Sequence, residues 1–114
     1  MEKFVEQSLL YDFYGELLTE HQQKIYEDAV FDDFSVSEIA RNEGISRQGV
    51  HDLIKRCNKI LSGYEERLHL VERFLRIREQ VREIKTLVKE DNGLNEAERS
   101  EKIDRIVSDI LEEL

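Results

Sequence analysis

Between Ser35 and Leu61 the chain holds two helix starts with one glycine between them: Ser35-Val36-Ser37-Glu38, then Gly44, then Ser46-Arg47-Gln48-Gly49. Few folds accept that order. Ser35 with Glu38 three residues on is a capping box, in which each side chain takes a backbone N–H that the helix leaves unpaired. Gly44 stands where the first helix has to end in a left-handed residue, which glycine adopts at least cost. Ser46 then caps a second helix. Along it Val50, Leu53, Ile54, Cys57 and Leu61 recur on one face. Gln48, Asp52, Lys55 and Lys59 fall on another, with Arg47 and His51 between. Ile45 is expected in the angle of the two helices. Gly49 lowers helix propensity by about 1 kcal/mol relative to alanine, and a close approach to the preceding helix near Ala40 would compensate. A short helix, a tight turn and a second amphipathic helix together read as a helix-turn-helix over Ser35–Leu61.

The remainder predicts an all-α fold. Its 114 residues include no proline and five glycines, so little interrupts long helices. Residues 2–17 carry Phe4, Val5, Leu9, Leu10, Phe13 and Tyr14 at helical spacing, continued by Leu17 and Leu18. Apolar over so much of its circumference, this helix is expected to be buried on more than one side. Gly15 and Thr19 mark its end. Thr19 and Gln22 form a second capping box, opening a helix through Ile25, Tyr26, Ala29 and Val30. Asp32-Asp33-Phe34 reads as a loop. Ser62-Gly63 is expected to break or kink the chain, giving a first domain over 1–63 and a helical extension over 64–114. Within the extension Leu70, Phe74, Ile77, Val81, Ile84 and Val88 step by alternating fours and threes, an a/d seam. Asp91-Asn92-Gly93 is a turn signal, and Asn95 starts a last helix bearing Ile103, Ile106, Val107, Ile110, Leu111 and Leu114. The expected result is a hairpin, the last helix folding back on the long one.

Net charge is −9, unevenly spread: −7 over residues 1–36, +2 over 37–63, +2 over 64–89 and −6 over 90–114. The helix-turn-helix is thus a weakly basic middle between acidic ends, and such blocks shape the choice of partner. Cys57, the single cysteine, sits on an apolar face and suits a reducing compartment. With no apolar run of membrane-spanning length and no signal peptide at Met1-Glu-Lys-Phe, a cytoplasmic location is expected. His21, His51 and His69 have no metal-ligand spacing with one another or with Cys57. Neither a glycine-rich phosphate loop nor a nucleophile–base pair is present, so no enzyme, cofactor or metal is expected. The candidate nucleic-acid contacts are Arg47, Gln48, His51, Lys55, Arg56 and Lys59. Gln48 lies near the helix N-terminus, where a side chain reaches base edges and can bond adenine. Lys55, Arg56 and Lys59 suit phosphates. Arg67, Arg78, Arg82, Lys85 and Lys89 form a second basic stripe on the long helix. It either tracks an RNA backbone or pairs with the acidic last helix through Glu101, Asp104 or Glu112.

The order Leu18-Thr19-Glu20-His21-Gln22-Gln23, Ser37-Glu38-Ile39-Ala40, Gly44-Ile45-Ser46 and Val50 resembles region 4 of bacterial sigma factors. With Tyr11-Asp12-Phe13-Tyr14 before it, Ser46-Arg47-Gln48-Gly49-Val50-His51-Asp52 within it and the acidic last helix after it, the whole chain resembles the YlxM family of small helix-turn-helix proteins. It departs from that family's pattern at His51 and Leu53, where Tyr and Asn are common. The resemblance implies a regulatory protein of the signal recognition particle pathway that contacts the particle or its small RNA. Two readings stay open. In one, the motif binds RNA or DNA, with a homodimer through the long helix presenting two motifs. In the other, the acidic flanks bind a basic partner such as the particle's GTPase.

Overall fold

The computed structural model describes residues 2–89 and 93–114, and all regular structure among them is helical. The helices are α1 (Lys3–Tyr14), α2 (Glu20–Val30), α3 (Val36–Glu43), α4 (Arg47–Leu68), α5 (Leu70–Val88) and α6 (Glu96–Glu113), with a 3₁₀ turn at Gly15–Leu17. The caps stand where the sequence places them. Thr19 Oγ1 accepts from the Gln22 N–H, and the Gln22 side chain accepts from the Thr19 N–H. Ser35 and Glu38 repeat the exchange. Gly44 ends α3 in the left-handed region at φ 67°. Asn95 caps α6 by accepting from the Glu98 N–H. Of the turn Asp91-Asn92-Gly93, positions 91 and 92 lie outside the described residues.

Two compact units divide after Val71: residues 1–71 and 72–114. In the first, Ile25, Ile39, Ala40 and Val50 are buried together, with Ala29, Val36, Leu53 and Ile54 packed around them. This is the core of a three-helix arrangement of α2, α3 and α4. A second buried group, Leu10, Tyr14, Leu18, Tyr26, Cys57 and Leu61, seats α1 on the α2–α4 layer. Each large apolar side chain so buried contributes about 1.5–3 kcal/mol. The second unit is the expected hairpin, with Ile77 and Ile84 of α5 and Ile103, Ile106 and Ile110 of α6 half-buried along its seam. Arg73 and Arg76 of α5 both pair with Glu113 of α6, which fixes the helices as antiparallel.

Three expectations need correction. Helix α1 is buried along one stripe only: Leu10 and Tyr14 are covered, while Phe4, Val5 and Phe13 are exposed, as is Leu17 just beyond it. Ser62-Gly63 neither breaks nor kinks the chain, because α4 runs unbroken to Leu68. The interruption falls at His69, in the left-handed region at φ 55°, so the first unit extends well past residue 63. Glycine lowers helix propensity without forbidding the helix, and packing on both neighbouring helices outweighs the loss. Gly49 is close to its own cap rather than to Ala40, since a Cβ there would lie 3.2 Å from Ser46 Oγ and 3.8 Å from Ile45. The a/d seam of α5 is half-buried at Ile77 and Ile84 and exposed at Phe74, Val81 and Val88.

Candidate nucleic-acid interface

Helix α4 is held on three sides before it offers a fourth. Its N-terminus is set by the Ser46 hydroxyl, which accepts from the Gly49 N–H at 2.9 Å. Its inner stripe, Val50, Cys57 and Leu61, is fully buried. Its middle is tied by Asn58, whose Oδ1 accepts from the Tyr26 hydroxyl at 2.6 Å and from the Gln7 amide at 3.3 Å. Asn58 thus links the helix to both α1 and α2. A half-buried amide with two such partners fixes the rotation of α4 about its axis, which apolar packing alone specifies less tightly. Burial pushes the Tyr26 phenol up to about 12, so the hydroxyl that donates to Asn58 stays protonated at neutral pH. Burial likewise pushes the Cys57 thiol up, which keeps it an unreactive core residue.

The fourth side is exposed and carries all six sequence-predicted contacts, Arg47, Gln48, His51, Lys55, Arg56 and Lys59. At about 100° per residue, Gln48, Lys55 and Lys59 share one strip, with His51 on its inner edge, Arg56 on its outer edge and Arg47 at the helix start. Arg47, Lys55, Arg56 and Lys59 form no ion pair among the described residues. Gln48 differs, because its amide donates to Asp52 Oδ1 at 3.0 Å. That bond engages one of the two amide hydrogens and places a carboxylate within the basic strip. Leu53 is half-buried against the core, whereas His51 is exposed.

Sequence reasoning passed over two residues. Arg41, exposed in the last turn of α3, adds a cation at the C-terminal end of the first motif helix, where the helix dipole favours it. Asn58 is the other. A polar residue beside the apolar stripe was its only signal, and the tyrosine that satisfies it lies 32 positions away. The second basic stripe is split. Arg67 belongs to α4, Arg78, Arg82 and Lys85 share α5, and Lys89 lies just past its end. The expected partners on α6 also differ, since its Glu113 is taken by Arg73 and Arg76, while Arg82 pairs with Glu79 on its own helix.

Two capped helices around a left-handed glycine, with the second displaying unpaired cations, define a helix-turn-helix protein. The chain belongs to the UPF0122 family, whose model, described as "Putative helix-turn-helix protein, YlxM / p13 like", matches residues 1–104. A UPF0122 protein of Thermoanaerobacter is 40% identical over 111 residues, covering 97% of this chain and 92% of the relative. One from Acetivibrio thermocellus is 38% identical over 116 residues, covering 98% and 99%. One from Symbiobacterium thermophilum is 46% identical over 79 residues, covering 67% and 74%. The family description fits a regulatory, nucleic-acid-binding role.

Proposed function

We propose that the exposed face of α4 binds nucleic acid, RNA or DNA, and that the protein acts in the cytoplasm as a regulator without catalysis. The observation that carries this reading is the set of four unpaired cations, Arg47, Lys55, Arg56 and Lys59, on a helix whose rotation is locked by Asn58. Affinity then comes from releasing counterions around about four phosphates, which makes it steeply salt-dependent. Acidic segments on either side disfavour contact by the wrong surface. Within the signal recognition particle pathway that the family resemblance implies, the particle's small RNA is the target this surface suits. No helix among the described residues is long and apolar enough to cross a membrane. Replacing Lys55 and Lys59 together by glutamate tests the reading. RNA affinity is expected to fall at least about tenfold, since each site gains repulsion as it loses attraction.

One observation favours a second reading, an adaptor for a basic protein such as the particle's GTPase. Between α1 and α2 runs a groove lined by Tyr11, Phe31, Asp12, Glu16, Glu27 and Asp32, an aromatic floor with acidic walls. The same double variant separates the two: particle binding that survives K55E/K59E unchanged selects the adaptor.

A further inference from the structure

The C-terminal hairpin, residues 72–114, contains no fully buried residue among those described. Its seam is not purely apolar either. Gln80 Oε1 and Arg99 Nε are closed off from solvent there without a hydrogen-bond partner among the described residues. Meanwhile Val81 is 51% exposed, Val88 60%, Leu111 67% and Leu114 82%, with Val107 at 39%. Two helices that bury so little and expose so much of their apolar surface are incompletely packed.

The exposed apolar residues share one side. Two surface grooves run along the hairpin, one lined by Glu83, Thr86, Leu87, Lys102, Arg105 and Ile106, the other by Arg73, Gln80, Asp109, Glu112 and Glu113. At about 100° per residue, these residues occupy one flank of α5 and the matching flank of α6. Val81 and Val88 lie on the opposite flank of α5. Val107, Leu111 and Leu114 lie on the opposite flank of α6, so the five form a single apolar face. Its area is on the order of 500 Å² per copy, and the polar edges bring it near the ~800 Å² per partner of a stable interface.

Charge selects what covers this face. Its α5 edge is basic, with Arg78 and Lys85 forming no ion pair among the described residues. Its α6 edge carries Glu101 and Asp104. The Arg76–Glu113 pair and the Leu87–Lys102 groove set the register, which brings Lys85 level with Asp104. A two-fold axis parallel to the helices keeps those levels and lays α5 of one copy on α6 of the other. Basic edge then meets acidic edge twice.

We propose that this face is covered by a second copy of the chain, forming an antiparallel four-helix bundle with Val81 and Leu111 at its centre and Lys85 facing Asp104 of the other copy across each edge. The bundle closes a core that neither hairpin completes, in the manner of symmetric dimers. It stands independently of the nucleic-acid reading.

The test is sedimentation equilibrium of the full chain. The wild type is expected to be a dimer at micromolar concentration. Val81→Glu should weaken it at least about tenfold, as for a central apolar contact, with helical circular dichroism unchanged. Lys85→Glu should weaken it and Asp104→Lys should do the same, while the charge-exchanged double variant regains wild-type affinity. That recovery distinguishes an interface from general loss of folding. A monomeric wild type, a Val81→Glu dimer of unchanged affinity, or a double variant no better than either single one overturns the proposal.

Discussion

Tyr14 is the residue with most hanging on one atom. It is 1% exposed, and its hydroxyl donates to Glu65 Oε1 at 2.5 Å while accepting from the Leu70 N–H at 3.1 Å. The same Glu65 oxygen accepts from the Val71 N–H at 2.9 Å. One phenol and one carboxylate therefore cap the start of α5, immediately after the left-handed turn at His69. Tyr14→Phe leaves a buried carboxylate contact and an amide short of partners, so urea unfolding should show a loss of about 1–3 kcal/mol. The buried tyrosines also set a pH limit. Burial pushes both Tyr14 and Tyr26 up, Tyr26 to about 12, against an ordinary value near 10. Above that ordinary value the unfolded chain binds fewer protons than the native one, so stability falls as pH rises. Stability should therefore hold up to about pH 10 and decline towards pH 12. Tyr26→Phe should flatten part of that decline, measured as Tm against pH.

At the scale of elements, the contrast between Gly44 and Gly63 shows what a sequence makes legible. Gly44 adopts φ 67°, and a Cβ added there would meet nothing within 4 Å, so its conformation alone demands glycine. Gly44→Ala should cost about 1 kcal/mol. Gly63 also has open space around it but lies inside a continuous helix, so Gly63→Ala should stabilise the protein by about 0.5–1 kcal/mol. Thermal denaturation of the two variants should thus shift in opposite directions, and a destabilised Gly63→Ala would contradict the unbroken α4. Local signals were readable throughout: the boxes at Thr19 and Ser35, the serine cap at Ser46 and the inner face of α4 depend on residues within a turn or two. What depended on distant partners was not. Sequence spacing could not show that Asn58 would meet Tyr26. Nor could it show that α1 would bury Leu10 and Tyr14 and leave Phe4 and Leu17 exposed. The separation of Arg67 from the rest of the basic stripe had a different cause: the left-handed turn at His69 carries no glycine to announce it.

On the scale of the whole molecule, the charge blocks and the motif act together. The chain is strongly negative, and Arg47, Lys55, Arg56 and Lys59 stand out from it on one face of α4, so nucleic acid bound there as proposed would be held with modest affinity. Two copies joined through the hairpins would offer two such helices and gain by avidity. Lys55 and Lys59 lie in the first unit and Val81 in the second, so K55E/K59E should leave sedimentation unmoved, while Val81→Glu should remove the gain from avidity. Nucleic-acid binding by α4 is tested most directly by fluorescence anisotropy of the full chain titrated into a labelled structured RNA and a labelled DNA duplex across a range of salt. Binding to at least one of them is expected, with log affinity falling against log salt with a slope of about −3 to −4 per motif, as four phosphate contacts require, and with K55E/K59E weakening it at least about tenfold. Absence of binding to both at low salt, or binding that neither salt nor the double variant weakens, would contradict it.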